Sequence, residues 1–195
     1  MTVPLKETPS QTAGPFVHIG TLPAIAGLKA NIPLQLNVLA HESTLGERIR
    51  IEGAIHDGAG ALVKDAMVEI WQANANGQYG SNDFKGWGRA ATDFESGLFL
   101  FETIKPGRTL FHDGRKQAPH ISVSIFARGI NIHLQTRLYF SDEAEAIKAD
   151  PVLQVIKDPD RIATLIAQKA AQPGLPLYRF DIHLQGDRET MFFDF

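Results

Sequence analysis

Apolar and polar side chains alternate through the middle of this chain, which marks that part as strand-rich. From Arg48 the period is two: Ile49, Ile51 and the pair Ala54-Ile55 run into the turn His56-Asp57-Gly58. Successive side chains of a strand point to opposite faces, so such a stretch buries one face. Met67-Val68-Glu69-Ile70-Trp71 predicts a second strand, ended by the Asn- and Gly-rich turn 74–77. Residues 81–88 are polar and contain glycine, and read as a loop with Trp87 inside it. Residues 98–103 form an apolar strand stopped by Pro106-Gly107, and 121–127 and 136–140 supply two more.

The period changes late in the chain. Asp158-Pro159 is an N-cap followed by a first-turn proline, and Ile162, Leu165, Ile166 and Lys169 fall at helical spacing. Pro173-Gly174 ends that predicted helix, and Asp150-Pro151 opens a shorter one before it. Tyr178, Phe180, Ile182 and Leu184 then alternate against Arg179, Asp181 and His183, followed by Gly186-Asp187 and 190–195. That pattern predicts a terminal hairpin.

No internal repeat interrupts the series. The reading is an all-β fold, a β-sandwich of mainly antiparallel strands with a short helical excursion near 142–172. Five prolines fall in the first 40 residues, and Gly14-Pro15 resists helix continuation. Residues 8–16 therefore read as an extended arm, with a frayed terminus as the plainer alternative. The expected organisation is an arm and irregular segment over 1–40, packed on the core or on a partner, and a sandwich domain over 41–195.

Composition narrows the function only a little. Hydrophobic residues make up 44% and charged ones 21% of 195, the profile of an ordinary globular protein. A net charge of -3 gives no sign of the basic face that nucleic acid or anionic membrane would favour. No 18-residue apolar run suggests a membrane span, and the N-terminus lacks a signal-peptide core. Without cysteine there is no disulfide, thiolate nucleophile or zinc–thiolate site, and a cytoplasmic location is expected.

The remaining candidates for chemistry are sparse. His18, His41, His56, His112, His133 and His183 show no metal-type spacing. Ser122 and Ser124 alternate on a strand with no paired His/Asp signature. Trp71 and the cluster Phe192, Phe193, Phe195 read as core or interface anchors.

Several longer stretches, in one order, resemble the intradiol ring-cleaving dioxygenases over nearly the whole chain. They are residues 8–20 (TPSQTAGPFVHIG), Trp71-Gln72-Ala73, Ala118-Pro119-His120-Ile121-Ser122, residues 126–133 (FARGINIH), Tyr178-Arg179-Phe180-Asp181-Ile182 and the ending 189–195 (ETMFFDF). Catalytic members of that family hold a mononuclear non-haem ferric ion with two tyrosines and two histidines. Phenolate is a hard anionic donor suited to the trivalent ion, and imidazole a general nitrogen donor. The ion then acts as Lewis acid and template for a catechol.

Position by position, the resemblance puts the first tyrosine at Tyr79 and the first histidine at His120. It puts the second tyrosine at Thr109, the second histidine at Ser122, and a supporting arginine at Gln117. Residues two apart on a strand share a face, so a His-x-His pair would aim both rings at one ion. Here the second place is a serine. Two of four ligands are gone, so no metal is expected in this chain, and Tyr79 and His120 are expected to be structural remnants.

In two-chain members of the family, a homologous β subunit keeps all four ligands and binds the Fe(III). The resemblance then implies that this chain completes the partner's substrate pocket, with a small aromatic acid and O₂ as reactants and a higher-order αβ multimer as the assembly. Thr12, Gly14, Pro15 and Phe16 of the arm are the expected contributors, since a Gly-Pro segment approaches a ligand closely. Phe16 stands where the family often has tyrosine. Arg128 is the second contributor, its guanidinium suited to a carboxylate; the plainer alternative is a solvated arginine at a strand end. Two further alternatives are a self-sufficient homomeric dioxygenase with unusual ligands and a non-enzymatic β-sandwich binding module.

Overall fold

The computed structural model describes residues 11–14, 17–28 and 35–194. Among these, nine strands make the frame: β1 (Arg48–His56), β2 (Met67–Gln72), β3 (Trp87–Ala91), β4 (Leu98–Ile104), β5 (His120–Phe126), β6 (Leu134–Phe140), β7 (Ile166–Lys169), β8 (Leu177–Arg179) and β9 (Ile182–His183). They run in the order β3-β2-β5-β6-β7-β8-β1-β4, with β9 also beside β1. The outer strands β3 and β4 pack against each other, so the sheet folds over on itself and nearly closes. Pairing is antiparallel for β1–β4, β2–β3, β2–β5, β5–β6 and β7–β8. It is parallel where β1 meets β8 and β9 and where β6 meets β7. The all-β, mainly antiparallel expectation holds.

The core lies between the two halves of this folded sheet. Ile49, Ile51, Phe99 and Phe101 from β1 and β4 face Val68, Ile70, Ile121, Val123, Ile125 and Leu138 from β2, β5 and β6, and all are buried. Each such side chain contributes about 1.5–3 kcal/mol through burial. Strand β5 shows how the sequence writes the fold: Ile121, Val123 and Ile125 go inward, while Ser122 and Ser124 stay half-buried on the other face.

Three local expectations change. Trp87 opens a strand rather than sitting in a loop, because Trp87–Ala91 pairs along β2 from Trp71 to Met67. The helix begun by Asp158, whose carboxylate accepts from the Asp160 amide at 2.9 Å, lasts only from Pro159 to Ala163. Ile166–Lys169 then joins the sheet, pairing with Tyr139 and Phe140 on one side and Arg179 and Tyr178 on the other. The predicted terminal hairpin is replaced by β8 and β9 running parallel to β1, and Phe193 instead bridges Gln135.

The excursion holds α2 (Ala144–Lys148), a 3-10 turn at Leu153–Val155 and α3 (Pro159–Ala163). It covers a second apolar cluster of Ala118, Tyr139, Leu153 and Leu165, with Ile147, Ile162 and Phe193 against it. At the N-terminus Thr12 bridges Asn131, and α1 (Val17–Thr21) follows; Leu39 and Ala40 already belong to the main core. Pro15 and Phe16, and residues 8–10 of the arm, lie outside the described residues.

Candidate functional site

The remnant centre assembles at the start of β5. The turn after β2 delivers Tyr79: Asn74 Oδ1 accepts from the amides of Asn76 and Gln78, both at 3.0 Å, and Gly77 takes φ +78°. Only a glycine fits there, since a Cβ would stand 2.1 Å from the Arg108 carbonyl. The same turn grips the neighbouring loop, because the Gly107 amide donates to Asn74 O at 2.9 Å. Beneath it Gln72 is fully buried and satisfied, donating to Ile104 O at 2.9 Å and accepting from Thr103 Oγ1 at 2.8 Å.

Asp150 fixes the entry to β5. Its buried carboxylate accepts from the amides of Ala118 at 2.7 Å, Val152 at 2.8 Å and Leu153 at 3.1 Å. That ties the excursion to Ala118-Pro119-His120. His120 is buried, and its Nδ1 lies 2.8 Å from Ala118 O. A carbonyl only accepts, so Nδ1 carries the proton and Nε2 is bare. The Tyr79 hydroxyl faces that Nε2 at 3.5 Å, while its ring, 42% exposed, stacks on Trp71 at 5.8 Å.

The other positions are filled differently. Thr109 is buried, and its hydroxyl accepts from Gln117 Nε2 at 3.0 Å. Gln117 Oε1 accepts in turn from Arg137 Nη1 at 2.9 Å, and that nitrogen lies 3.4 Å from the Tyr139 hydroxyl. Ser122 is the direct cross-strand partner of Arg137, so the two side chains share the face that carries His120.

Electrostatics follow from this burial and from Arg137. Desolvation, then the Arg137 charge, holds the His120 imidazole down to about 4, against the Ala118 carbonyl and Asp150. Burial raises the Tyr79 phenol, which Arg137 only tempers. Burial first, and then Asp150, pushes Tyr139 up to about 12. Tyr79 is thus a neutral phenol and His120 a neutral imidazole.

This donor set does not fit ferric iron. One nitrogen and one reluctant phenol remain, two neutral hydroxyls stand in for ligands, and a fixed cation sits among them.

The second group of expected residues gathers elsewhere. Thr12 Oγ1 donates to Ala127 O at 3.3 Å and accepts from the Gly129 amide at 3.0 Å, so it grips both sides of Arg128. The Ile132 amide donates to Gln11 O at 3.4 Å, with Ile132 at φ 71°. The Arg128 side chain is 70% exposed and pairs with Asp65. Gly14 is exposed, with open space where a Cβ would be. His120 and Phe126 stand at the two ends of β5, roughly 20 Å apart at about 3.3 Å per residue, and Arg128 lies in the turn beyond. The remnant centre and the Thr12–Arg128 cluster lie at opposite ends of β5 and do not meet.

The folded-over sheet carries a Tyr79–His120 pair at the entry to β5, and comparison with known proteins supplies the class. The model of a family described as "Dioxygenase" matches residues 25–186. This chain belongs to the intradiol ring-cleaving dioxygenase family. It is 50% identical to the protocatechuate 3,4-dioxygenase alpha chain of Pseudomonas putida, over 98% of each chain. It is 33% identical to the protocatechuate 3,4-dioxygenase beta chain of Burkholderia cepacia, over 80% of this chain and 72% of that one. Among solved structures, the dioxygenase domain of a carbohydrate-binding fusion from Streptomyces sp. SirexAA-E superposes with a TM-score of 0.61 at 25% identity, over 95% of this chain and 100% of that one. Among the described residues no helix is long and apolar enough to cross a membrane.

Arg137 and Asp150 escaped the sequence reading. An arginine on an alternating strand reads as solvated, and an Asp before a proline reads only as a cap. The cross-strand register with Ser122 is the signal that exposes Arg137.

Proposed function

We propose that this chain is the non-metal-binding alpha subunit of a protocatechuate 3,4-dioxygenase. Its homologous beta partner holds the Fe(III), and this chain completes the partner's substrate pocket. The assembled enzyme would add O₂ across the bond between the two hydroxylated carbons of 3,4-dihydroxybenzoate, both oxygen atoms entering 3-carboxy-cis,cis-muconate. The reading carries with it a cytoplasmic αβ multimer, with residues 1–40 as an arm and irregular segment packed on the core or on the partner.

The separation along β5 is the observation that carries this reading. Thr12 and Arg128 lie at the far end of β5 from this chain's own Tyr79–His120 pair, which supports their serving a pocket other than that one. An exposed arginine beside a Gly-Pro arm suits the carboxylate of an aromatic acid. Pro15 and Phe16, outside the described residues, belong to the proposal through the family resemblance alone. The exposed rings of Trp71, Tyr79 and Trp87 add an apolar surface of the kind partners cover.

Iron analysis of the full chain purified alone and purified with a co-expressed beta chain tests the proposal. Iron and turnover are expected only in the pair. Stoichiometric iron with turnover in the isolated chain refutes it.

A further inference from the structure

We propose that Arg137 is the resident cation of the remnant centre, a guanidinium standing in for the metal, and that it excludes ferric iron even where ligands are restored. The inference rests on the non-metal-binding part of the reading above, and concerns this chain's residues alone.

Arg137 bonds to Gln117 and stands across the strand from Ser122, beside the replaced ligand positions. Its Nη1 holds Gln117 Oε1 at 2.9 Å, and Gln117 in turn holds Thr109, the place of the second phenol. The same nitrogen approaches the Tyr139 hydroxyl at 3.4 Å, and Tyr139 is the cross-strand partner of His120. Opposite Arg137 stands Ser122, the place of the second histidine. Serine is smaller than the histidine the resemblance expects there, and the Phe193 ring lies 5.9 Å from the guanidinium carbon. The charge also acts on both surviving ligand types, His120 and Tyr79.

Chemistry explains why one such group displaces an ion. A ferric centre gathers anionic oxygen around a concentrated positive charge, whereas the diffuse charge of a guanidinium is also served by neutral acceptors. Gln117 Oε1 and the Tyr139 hydroxyl are acceptors of the second kind. The centre therefore keeps an organising cation that needs no deprotonated ligand. A trivalent ion entering beside it would meet a fixed like charge in a partly buried site, where screening is weak. Missing ligands make iron weak here; Arg137 makes the site closed to it.

The test compares two full-length variants after ferric loading: Thr109→Tyr with Ser122→His, and the same pair with Arg137→Gln added. Folding is checked by circular dichroism, and iron by elemental analysis and by the tyrosinate-to-iron visible band. With Arg137 kept, less than about a tenth of an equivalent is expected; with Arg137→Gln, about one equivalent and the band. Full iron binding with Arg137 in place overturns the proposal, and so does a folded Arg137→Gln variant that takes up none. Should the restored variants not fold, the contrast moves to the native ligand set. There Arg137→Gln is expected to bind Ga(III), a redox-inert ferric mimic, at least about tenfold more tightly than the parent. Equal or undetectable binding in both overturns it. Iron in the unmodified isolated chain would refute both readings, whereas an iron-free isolated chain whose pair with the beta chain also lacks turnover would refute the subunit reading alone, so the two failures are distinct.

Discussion

Replacing Asp150 should weaken fold and remnant centre together, by an amount set by three backbone amides. Its carboxylate is buried and accepts from Ala118 at 2.7 Å, Val152 at 2.8 Å and Leu153 at 3.1 Å. Asp150→Ala strips the acceptor from all three, and each buried donor left unmet costs about 1–3 kcal/mol. Removing a buried charge and admitting water to the vacated space offset part of that sum, leaving about 3 kcal/mol. For a chain of this length 1 kcal/mol lowers Tm by about 2–4 °C, so a drop of roughly 6–12 °C is expected. Asp150→Asn keeps one acceptor oxygen but turns an amide donor toward one of the backbone donors, for about half that effect. Differential scanning calorimetry of the three proteins measures it. Because Ala118 O also holds the His120 Nδ1–H, the His120 imidazole NMR signals should broaden or shift in the same order. A Tm change under about 2 °C for Asp150→Ala, or equal losses for Ala and Asn, would refute the reasoning.

Acid should act in two stages. His120 is held down to about 4 by burial and Arg137, so between pH 6.5 and about 4 the unfolded chain takes a proton the fold refuses; about 3 kcal/mol is lost in that window, and His120→Gln should flatten it in urea titrations. Asp142 lies at about 2, where burial is outweighed by Lys169, Lys105 and the Tyr178 hydroxyl; its contribution, about 1 kcal/mol after solvent screening, is present above pH 4 and lost toward pH 2, and Asp142→Asn should remove that final stage. Gly77→Ala, with φ +78° and a Cβ 2.1 Å from Arg108 O, should cost about 3 kcal/mol and displace Tyr79, read as a Tm drop with loss of its stacking on Trp71 in a crystal structure. In the assembled enzyme Arg128→Ala should raise the KM for the aromatic acid about tenfold and leave iron content unchanged; unaltered kinetics across ionic strengths would favour a merely solvated arginine.

Strands that bury one face announced themselves in the sequence, as Ile121, Val123 and Ile125 alternate with Ser122 and Ser124. Strand β3 did not, because Trp-Gly-Arg-Ala-Ala carries little alternation and owes its state to pairing along β2. The stretch Ile162–Lys169 satisfied helical spacing, yet its second half is held by β6 and β8; long-range pairing overrode a local period. Parallel pairing of β8 and β9 with β1 leaves no turn signal at all, so alternation near the C-terminus mimicked a hairpin. At the centre, Tyr79 and His120 were readable as family positions, and their 3.5 Å approach follows from the Asn74 turn. Arg137 was not readable, because its meaning depends on which residue lies across the strand.

The Thr12 hydroxyl ties two parts of the chain that are far apart in sequence. By bonding to Ala127 O and the Gly129 amide it clamps the arm to the turn that presents Arg128, so the two move as one part. Both partners are backbone atoms, so exchanging the turn's side chains keeps the clamp, whereas losing the hydroxyl at position 12 removes it. Libraries built on the proposed pocket role should therefore keep a hydroxyl at position 12 whenever residues 127–132 are exchanged.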